Sequence, residues 1–551
     1  MKQDLSCEIK DVLYGYVKAE SISNTKQEKR AEEYFLNYFS QQEYFKKNPD
    51  YFGAYPIEGD PHGRAAVWAM VKGSGNKTVV LIHHNDVVTV EDFKALKEYA
   101  FSPDELEEQL LLIKDSLLDE ARNDLESKKY LFGRGVCDMK GGGSIQMALL
   151  TEYSKEEDFE GNIIVLGVPD EENLSAGMRA GVMLLAELKK KYNFEYKLMI
   201  NSEPHQRKNY EKGVFSYGSI GKLMPFVYVR GYLAHAGKVF EGLNPTNIMC
   251  EIVRRTEVNT DFSDVVGPEV APPPTWLYLR ENKLSYDVSM PLTINGCLSV
   301  LLLNQTPGEL MSKVRTICEE SFDAVINDMN KQYAKFLRKG NQEVHPLPWK
   351  TKVVDFGELY KEAENNYGEK FKNAYDKKME SIKEDIENGK ESLIMSNFKL
   401  IDFIYDYIDD LSPRVVIGLM PPYYPNVANI IGYENDNEAI KNLHRDLNKF
   451  VGETFGQEYE REYFYTGISD LSYSYMENSN NVRESLKNSM PFFGSLYSLP
   501  LEEIEEISMP CVNIGPWGKD FHKLTERVYK EDLYQRTPQI VRFAIEHIFN
   551  S

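Results

Sequence analysis

The chain has 551 residues, too many for one ordinary hydrophobic core, and domains of roughly 100 to 200 residues allow two to four. Its 64 lysines and arginines against 86 aspartates and glutamates leave a formal charge of -22, which repels phosphate backbones and anionic lipid and argues against nucleic-acid and membrane partners. The polar start Met1-Lys2-Gln3-Asp4 and the lack of an apolar run near the ~20 residues of a membrane span predict a cytoplasmic protein, and scattered cysteines without a CxxC pair predict neither a disulfide framework nor a thiolate zinc site.

Apolar positions at helical spacing between residues 8 and 46, such as Val12, Leu13, Tyr16, Phe35 and Phe39, predict helices covering one side of a core. Two apolar runs, 65–72 and 77–88, separated by Gly73-Ser74-Gly75-Asn76, read as buried strands. The second ends in His83-His84-Asn85-Asp86, polar residues that lose hydration in a buried strand unless something pairs with them. Alternation puts His84 and Asp86 on one side. His84 is either a metal ligand oriented by Asp86 or half of a hydrogen-bonded pair. Residues 91–130 read as a helical surface insertion.

Gly133-Arg134-Gly135-Val136-Cys137-Asp138-Met139-Lys140-Gly141 then sets one carboxylate among glycines, and a helix over 144–153 follows. An Asp in such a loop is ordinarily a turn residue, and a metal ligand is the alternative. The run 161–168 is another buried strand, entering Asp170-Glu171-Glu172. Three adjacent carboxylates at a buried strand end repel one another unless a cation or protons compensate. A helix through Lys190 and a strand from Tyr196 to the acid Glu203 complete an alternating pattern. Such alternation implies an α/β sheet, which binds ligands at its carboxyl strand ends.

From about Ser219 the texture changes to an α+β unit. Strands are expected over 223–230, 275–279, 284–290 and 296–303, with helices from Pro245 to Arg255 and from Pro307 to about Arg338. His235, between small residues, reads locally as a turn histidine. The acidic helical stretch 356–411 precedes a buried strand at Val415–Met420, which is expected to rejoin the first domain. A helix over 437–455 and a last strand from Cys511 to Ile514 lead to Gly515–His522, with a helix expected to start at Glu526.

Taken in order, HHNDVV at 83–88, GRGVCDMKGG at 133–142, DEE at 170–172, SEP at 202–204, GYLAHAG at 231–237, GISD at 467–470 and GPWGKDFH at 515–522 resemble the co-catalytic zinc peptidases and amidohydrolases. That family includes aminoacylase, acetylornithine deacetylase, succinyl-diaminopimelate desuccinylase and glutamate carboxypeptidase, and the long insertions look like its branch associated with bacterial arginine utilisation. The resemblance implies an α/β catalytic domain with a mixed central sheet flanked by helices, over residues 1–218 and 361–551. An inserted α+β, ferredoxin-like lid and dimerisation domain over 219–360 interrupts it, its end lying anywhere in 356–412.

The same resemblance implies two divalent ions, zinc with cobalt or manganese as alternatives. His84 and Glu203 would hold one, Glu172 and His522 the other, and Asp138 would bridge them. Ions roughly 3.5 to 4 Å apart can share a water. Glu171 is then the general base, Asp86 orients His84, and His235 reaches the oxyanion, often from a partner subunit in a homodimer. A cis peptide between Asp138 and Met139 is implied too. Many relatives carry an arginine for the substrate carboxylate on the last lid strand, but none stands in Ser299–Pro307 here. The expected activity is hydrolysis of a small N-acyl amino acid or short peptide. The alternatives are an aminopeptidase or dipeptidase, and a metal-free binding protein that keeps the fold.

Overall fold

The computed structural model describes residues 4–207, 212–283, 285 and 287–551. Contacts divide the chain into two compact units: Met1–Ile220, Pro425–Glu477 and Glu502–Ser551 form the first, Gly221–Tyr424 and Asn478–Leu501 the second.

The first unit is built on an eight-stranded sheet in the order Phe52–Pro56, Ala65–Lys72, Asn162–Val168, Lys77–His84, Glu195–Asn201, Cys511–Asn513, Lys212–Ser216, Glu458–Glu462. Its central strands are apolar between their ends because both faces are covered. Lys77–His84 runs parallel to Asn162–Val168 on one side and Glu195–Asn201 on the other, and Cys511–Asn513 continues the parallel set. Ala65–Lys72 and Phe52–Pro56 are antiparallel, so the sheet is mixed. Four parallel strands thus end on one side. His84 closes one, Asp170-Glu171-Glu172 follows Val168, Glu203 follows Asn201, and the Gly515–His522 turn follows Asn513.

Alternation sends Val79, Leu81, Ile163, Val165, Leu198 and Ile200 into one core with Leu13, Tyr16, Phe35, Phe39, Ile145, Leu149, Ile540 and Ala544 from four helices. One of these, Lys140–Tyr153, starts four residues before the position expected. A Cβ on Gly142 would lie 2.2 Å from the Ser202 carbonyl oxygen, so only glycine lets the helix seat this close to the strand end.

The insertion forms helices Pro103–Leu112 and Asp119–Ser127 over a small core of Phe93, Leu106, Leu110, Leu125 and Trp517. Next to it, Tyr130–Phe132, Arg527–Tyr529 and Gly518–Lys519 make a three-stranded antiparallel sheet. The helix expected to start at Glu526 begins only after this strand, at Lys530, and runs on through Thr537–Phe549; three residues are too few to show a period, and cross-strand pairing decides their conformation.

The second unit carries a five-stranded sheet in the order Thr275–Glu281, Thr293–Leu302, Gly221–Arg230, Arg414–Tyr424, Val353–Asp355. Helices Pro245–Thr256 and Pro307–Lys339 pack against it and each other. Met224, Phe226 and Tyr228 pack with Leu359, Phe371, Phe398 and Ile401 of the further helices Phe356–Glu387 and Leu393–Tyr405. The strand at 414–424 therefore does not rejoin the first unit. It is buried along its whole length and finds its ladder on Gly221–Arg230, so residues 361–424 belong with the inserted unit rather than with the catalytic one. The strand expected over 284–290 falls partly on Leu284 and Tyr286, outside the described residues; Ser289 forms an isolated bridge with His235. Among the described residues no helix is long and apolar enough to cross a membrane.

Candidate metal centre

His84 is buried, and its ring is fixed from behind by the Asp86 carbonyl oxygen, 3.0 Å from Nδ1. Nε2 faces the sheet's carboxyl end, 3.0 Å from Asp138 Oδ1 and 3.5 Å from Glu203 Oε1. The carboxylate of Asp86 lies 3.6 Å from Nδ1, beyond hydrogen-bond reach, and instead accepts the backbone amides of Glu171 at 3.1 Å and Glu172 at 3.3 Å.

Asp138 sits in the loop between strand Tyr130–Phe132 and helix Lys140–Tyr153, and its peptide bond to Met139 is cis. Its second oxygen, Oδ2, is 3.2 Å from His522 Nε2, and the same nitrogen is 3.0 Å from Glu172 Oε1. His522 lies in the hairpin loop joining Gly518–Lys519 to Arg527–Tyr529. Its φ of 63 and the φ of 56 at Asp520 are left-handed, a region non-glycine residues enter only when their surroundings hold them there.

Asp170 turns the chain out of its strand at φ 72. Its carboxylate pairs with the buried Arg64 at 2.6 Å, and Arg64 also pairs with Glu28 at 2.7 Å and Asp60 at 2.6 Å. Asp170 thereby braces the turn, while Glu171 and Glu172 project from it toward the centre.

Each of two sets, His84 with Asp138 and Glu172, and His84 with Glu171 and Glu203, offers ligand atoms within 4.8 Å of one another. No lysine or arginine pairs with Asp138, Glu171, Glu172 or Glu203 among the described residues; the two imidazoles are the ion-pair partners of Asp138, Glu172 and Glu203. Burial pushes the pKa of Glu171 and Glu203 well above the usual carboxylate range, and repulsion from neighbouring acids adds to this. Burial and the nearby Asp138 raise Glu172 as well. Burial also disfavours ionisation of Asp138, but the bonds from His522 and His84 outweigh it and hold its pKa low. Those from Asp138 and Glu172 raise His522 to about 10. Mutually repelling acids with two imidazoles, and no fixed cation between them, fit a pair of hard or borderline divalent ions better than any structural ion pair.

The cluster opens on a cavity of about 640 Å³, lined on its outer side by Tyr465, Gly467, Trp517, Lys519, Phe521 and His522. His84, Asp138, Glu171, Glu172, Glu203 and His522 are therefore brought together. His235 lies in the other unit, exposed, at the start of a short turn of helix, where its Nδ1 accepts the Gly237 amide at 3.0 Å. The neutral ring then carries its proton on Nε2.

Sequence reasoning missed two residues. Asp470, in the GISD motif, is buried, and burial raises its pKa to about 7; it and the acids Glu171 and Glu203 repel one another. The motif had marked the place without a role. Glu526, buried four residues after His522, accepts the Gly135 amide at 2.8 Å, and no local pattern distinguishes it from a surface acid.

Fold and site together define a hydrolase of the metallopeptidase class. Residues 115–545 match peptidase family M20/M25/M40. Protein YqjN of Bacillus subtilis (strain 168) is 31% identical over 546 residues, covering 98% of this chain and 96% of that protein. Protein RocB of the same strain is 26% identical over 543 residues, covering 97% and 94%. Among solved structures, aminopeptidase PepT from Bacillus cereus ATCC 10987 shares the fold with a TM-score of 0.54 at 12% identity, covering 99% of each chain. The chain belongs to the peptidase family M20/M25/M40, and its RocB-like character agrees with the branch that the sequence resembles.

Proposed function

We propose that this protein is a metal-dependent hydrolase that cleaves the amide or peptide bond of a small N-acyl amino acid or a short peptide. The observation that carries the reading is the convergence of two imidazoles and four carboxylates at the parallel strand ends, with no lysine or arginine paired to these carboxylates among the described residues. His84 and Glu203 would hold one ion and His522 and Glu172 the other, while Asp138 turns one oxygen toward each imidazole and would bridge them. Zinc suits this donor set best, with cobalt or manganese as alternatives. When bound, two such ions polarise the scissile carbonyl and lower the pKa of water.

Glu171 is the general base. Its raised pKa gives it the proton affinity to take a proton from the attacking water and return it to the leaving amine. The carboxylate of Asp86 positions Glu171 by gripping its amide. His235, with its proton on Nε2, is the donor assigned to the oxyanion. The second unit serves as lid and as the surface through which two copies pair.

The test is metal analysis of the purified protein, with hydrolysis of N-acyl amino acids and dipeptides measured before and after chelation. Glu171→Ala serves as the control. Metal-dependent turnover that this substitution abolishes is expected. Equal turnover by wild type and Glu171→Ala would remove the base assignment, and turnover indifferent to chelation would remove the metal.

A further inference from the structure

We infer that Glu526 is a positioning residue of the metal centre, a strut that sets the separation between the Asp138 loop and the His522 hairpin. The inference rests on the metal reading above and goes beyond it.

The glycines shape the loop before Asp138: Gly133 and Gly135 have φ of 155 and 78 and help turn several of its backbone N–H groups inward. One oxygen, Glu526 Oε1, receives three of them, from Gly135 at 2.8 Å, Asp138 at 3.3 Å and Cys137 at 3.4 Å. The other oxygen receives Arg134 Nη1 at 2.6 Å. Glu526 and Arg134 are both 1% exposed, so water does not replace either partner. The Glu526 carbonyl also accepts the Gly133 amide at 3.2 Å. The acceptor is thus bonded to the very amide of the residue whose carboxylate faces both imidazoles.

The strut's other end is the hairpin. Glu526 lies four residues from His522, and its own amide donates to the Lys523 carbonyl at 2.9 Å. Arg527, next in the chain, ties the loop's Asp520 to the hairpin stem. One buried carboxylate therefore links two segments almost 400 positions apart, and its length sets the 3.2 Å between Asp138 Oδ2 and His522 Nε2. A brace needed only for folding would have no reason to end on the Asp138 amide.

The experiment titrates metal-stripped protein with Co²⁺ alone and follows the visible d–d absorption, with thermal unfolding measured in parallel. Glu526→Gln keeps the shape but sets an NH₂ against Arg134; Glu526→Asp keeps the charge but draws the acceptor back from the three amides. Arg542→Gln breaks a partly buried ion pair with Glu152, neither of which pairs with a residue of the site, and serves as the stability control. Both Glu526 variants are expected to bind Co²⁺ some 10- to 100-fold more weakly, with an altered spectrum, the range seen when groups orienting metal ligands are removed. Arg542→Gln should lower only the unfolding temperature. If Glu526→Gln does not fold, Glu526→Asp decides. Wild-type affinity and spectrum in a folded Glu526 variant overturn the strut alone; a wild-type protein that takes up no Co²⁺ overturns the metal centre and the strut with it.

Discussion

His84 meets Asp86 through the backbone: Nδ1 stands 3.0 Å from the Asp86 carbonyl oxygen, while the carboxylate is turned away to the amides of Glu171 and Glu172. One residue thus orients the imidazole with its main chain and the turn carrying Glu171 and Glu172 with its side chain. Asp86→Asn should leave the His84 ring in place but oppose an NH₂ to one buried amide. Leaving such a donor unpaired costs about 1 to 3 kcal/mol. Denaturant unfolding of the metal-free protein should show that loss, and kcat should fall with little change in the number of ions bound. Loss of both ions instead would place the side chain's work at His84.

Glu171 stands close enough to His84 and Glu203 to be taken for a ligand. As a base it should behave differently. Glu171→Gln is expected to retain two ions per chain by metal analysis while kcat falls roughly 10²- to 10⁴-fold. A chain that retained one ion would show that the carboxylate holds metal.

Removing metal should make stability depend on pH with a definite sign. The folded-state pKa values of Glu171, Glu172 and Glu203 lie above the 4.5 of a free glutamate, so the folded metal-free chain holds extra protons there. Their contribution is complete below that value and is lost as pH rises through the folded values. His522, raised from 6.5 to about 10, loses its share over that upper interval. The cluster's share of the metal-free protein's stability should therefore fall from pH 5 toward pH 9, and added zinc should raise the unfolding temperature more at pH 8 than at pH 5. Asp138, depressed, contributes in the opposite sense and only on strong acidification. Equal zinc stabilisation at both pH values would count against the cluster as the binding site.

The sequence shows the site more clearly than it shows the route to it. His84, Glu172 and Glu203 stand where apolar strands run out, and that juxtaposition is visible because a buried strand has no other use for such residues. The strand register is different. Nothing local says that Arg414–Tyr424 pairs with Gly221–Arg230 rather than with the first sheet, since an apolar run reads alike in either place. Glu526 is lost for a related reason. Its partners are backbone amides of a distant loop, and amides carry no letter in the sequence.

The insertion at 91–130, which shows no catalytic pattern, bears on the site through Asp124. Its carboxylate accepts Lys519 Nζ and Arg527 Nε, both at 2.8 Å, on the stem of the His522 hairpin. Arg527 is 1% exposed and Asp124 14% by side chain, so Asp124→Asn leaves a buried charge short of a partner. Asp520 still pairs with Arg527, so a loss of about 1 to 3 kcal/mol is expected, together with weaker metal binding as the hairpin loosens. An unchanged unfolding midpoint and metal affinity would show the insertion to be independent of the centre.

Strand Cys511–Asn513 lies inside the sheet, between Glu195–Asn201 and Lys212–Ser216, although it follows Ser216 by almost 300 positions. As the polypeptide leaves the ribosome, the growing sheet keeps an open slot along Glu195–Asn201 until this late segment arrives. A chain cut short before it would expose that slot to other strands and would lack His522. Under the proposed metal reading, capture of metal waits for this segment to be made, and copies that lack it are those most exposed to aggregation.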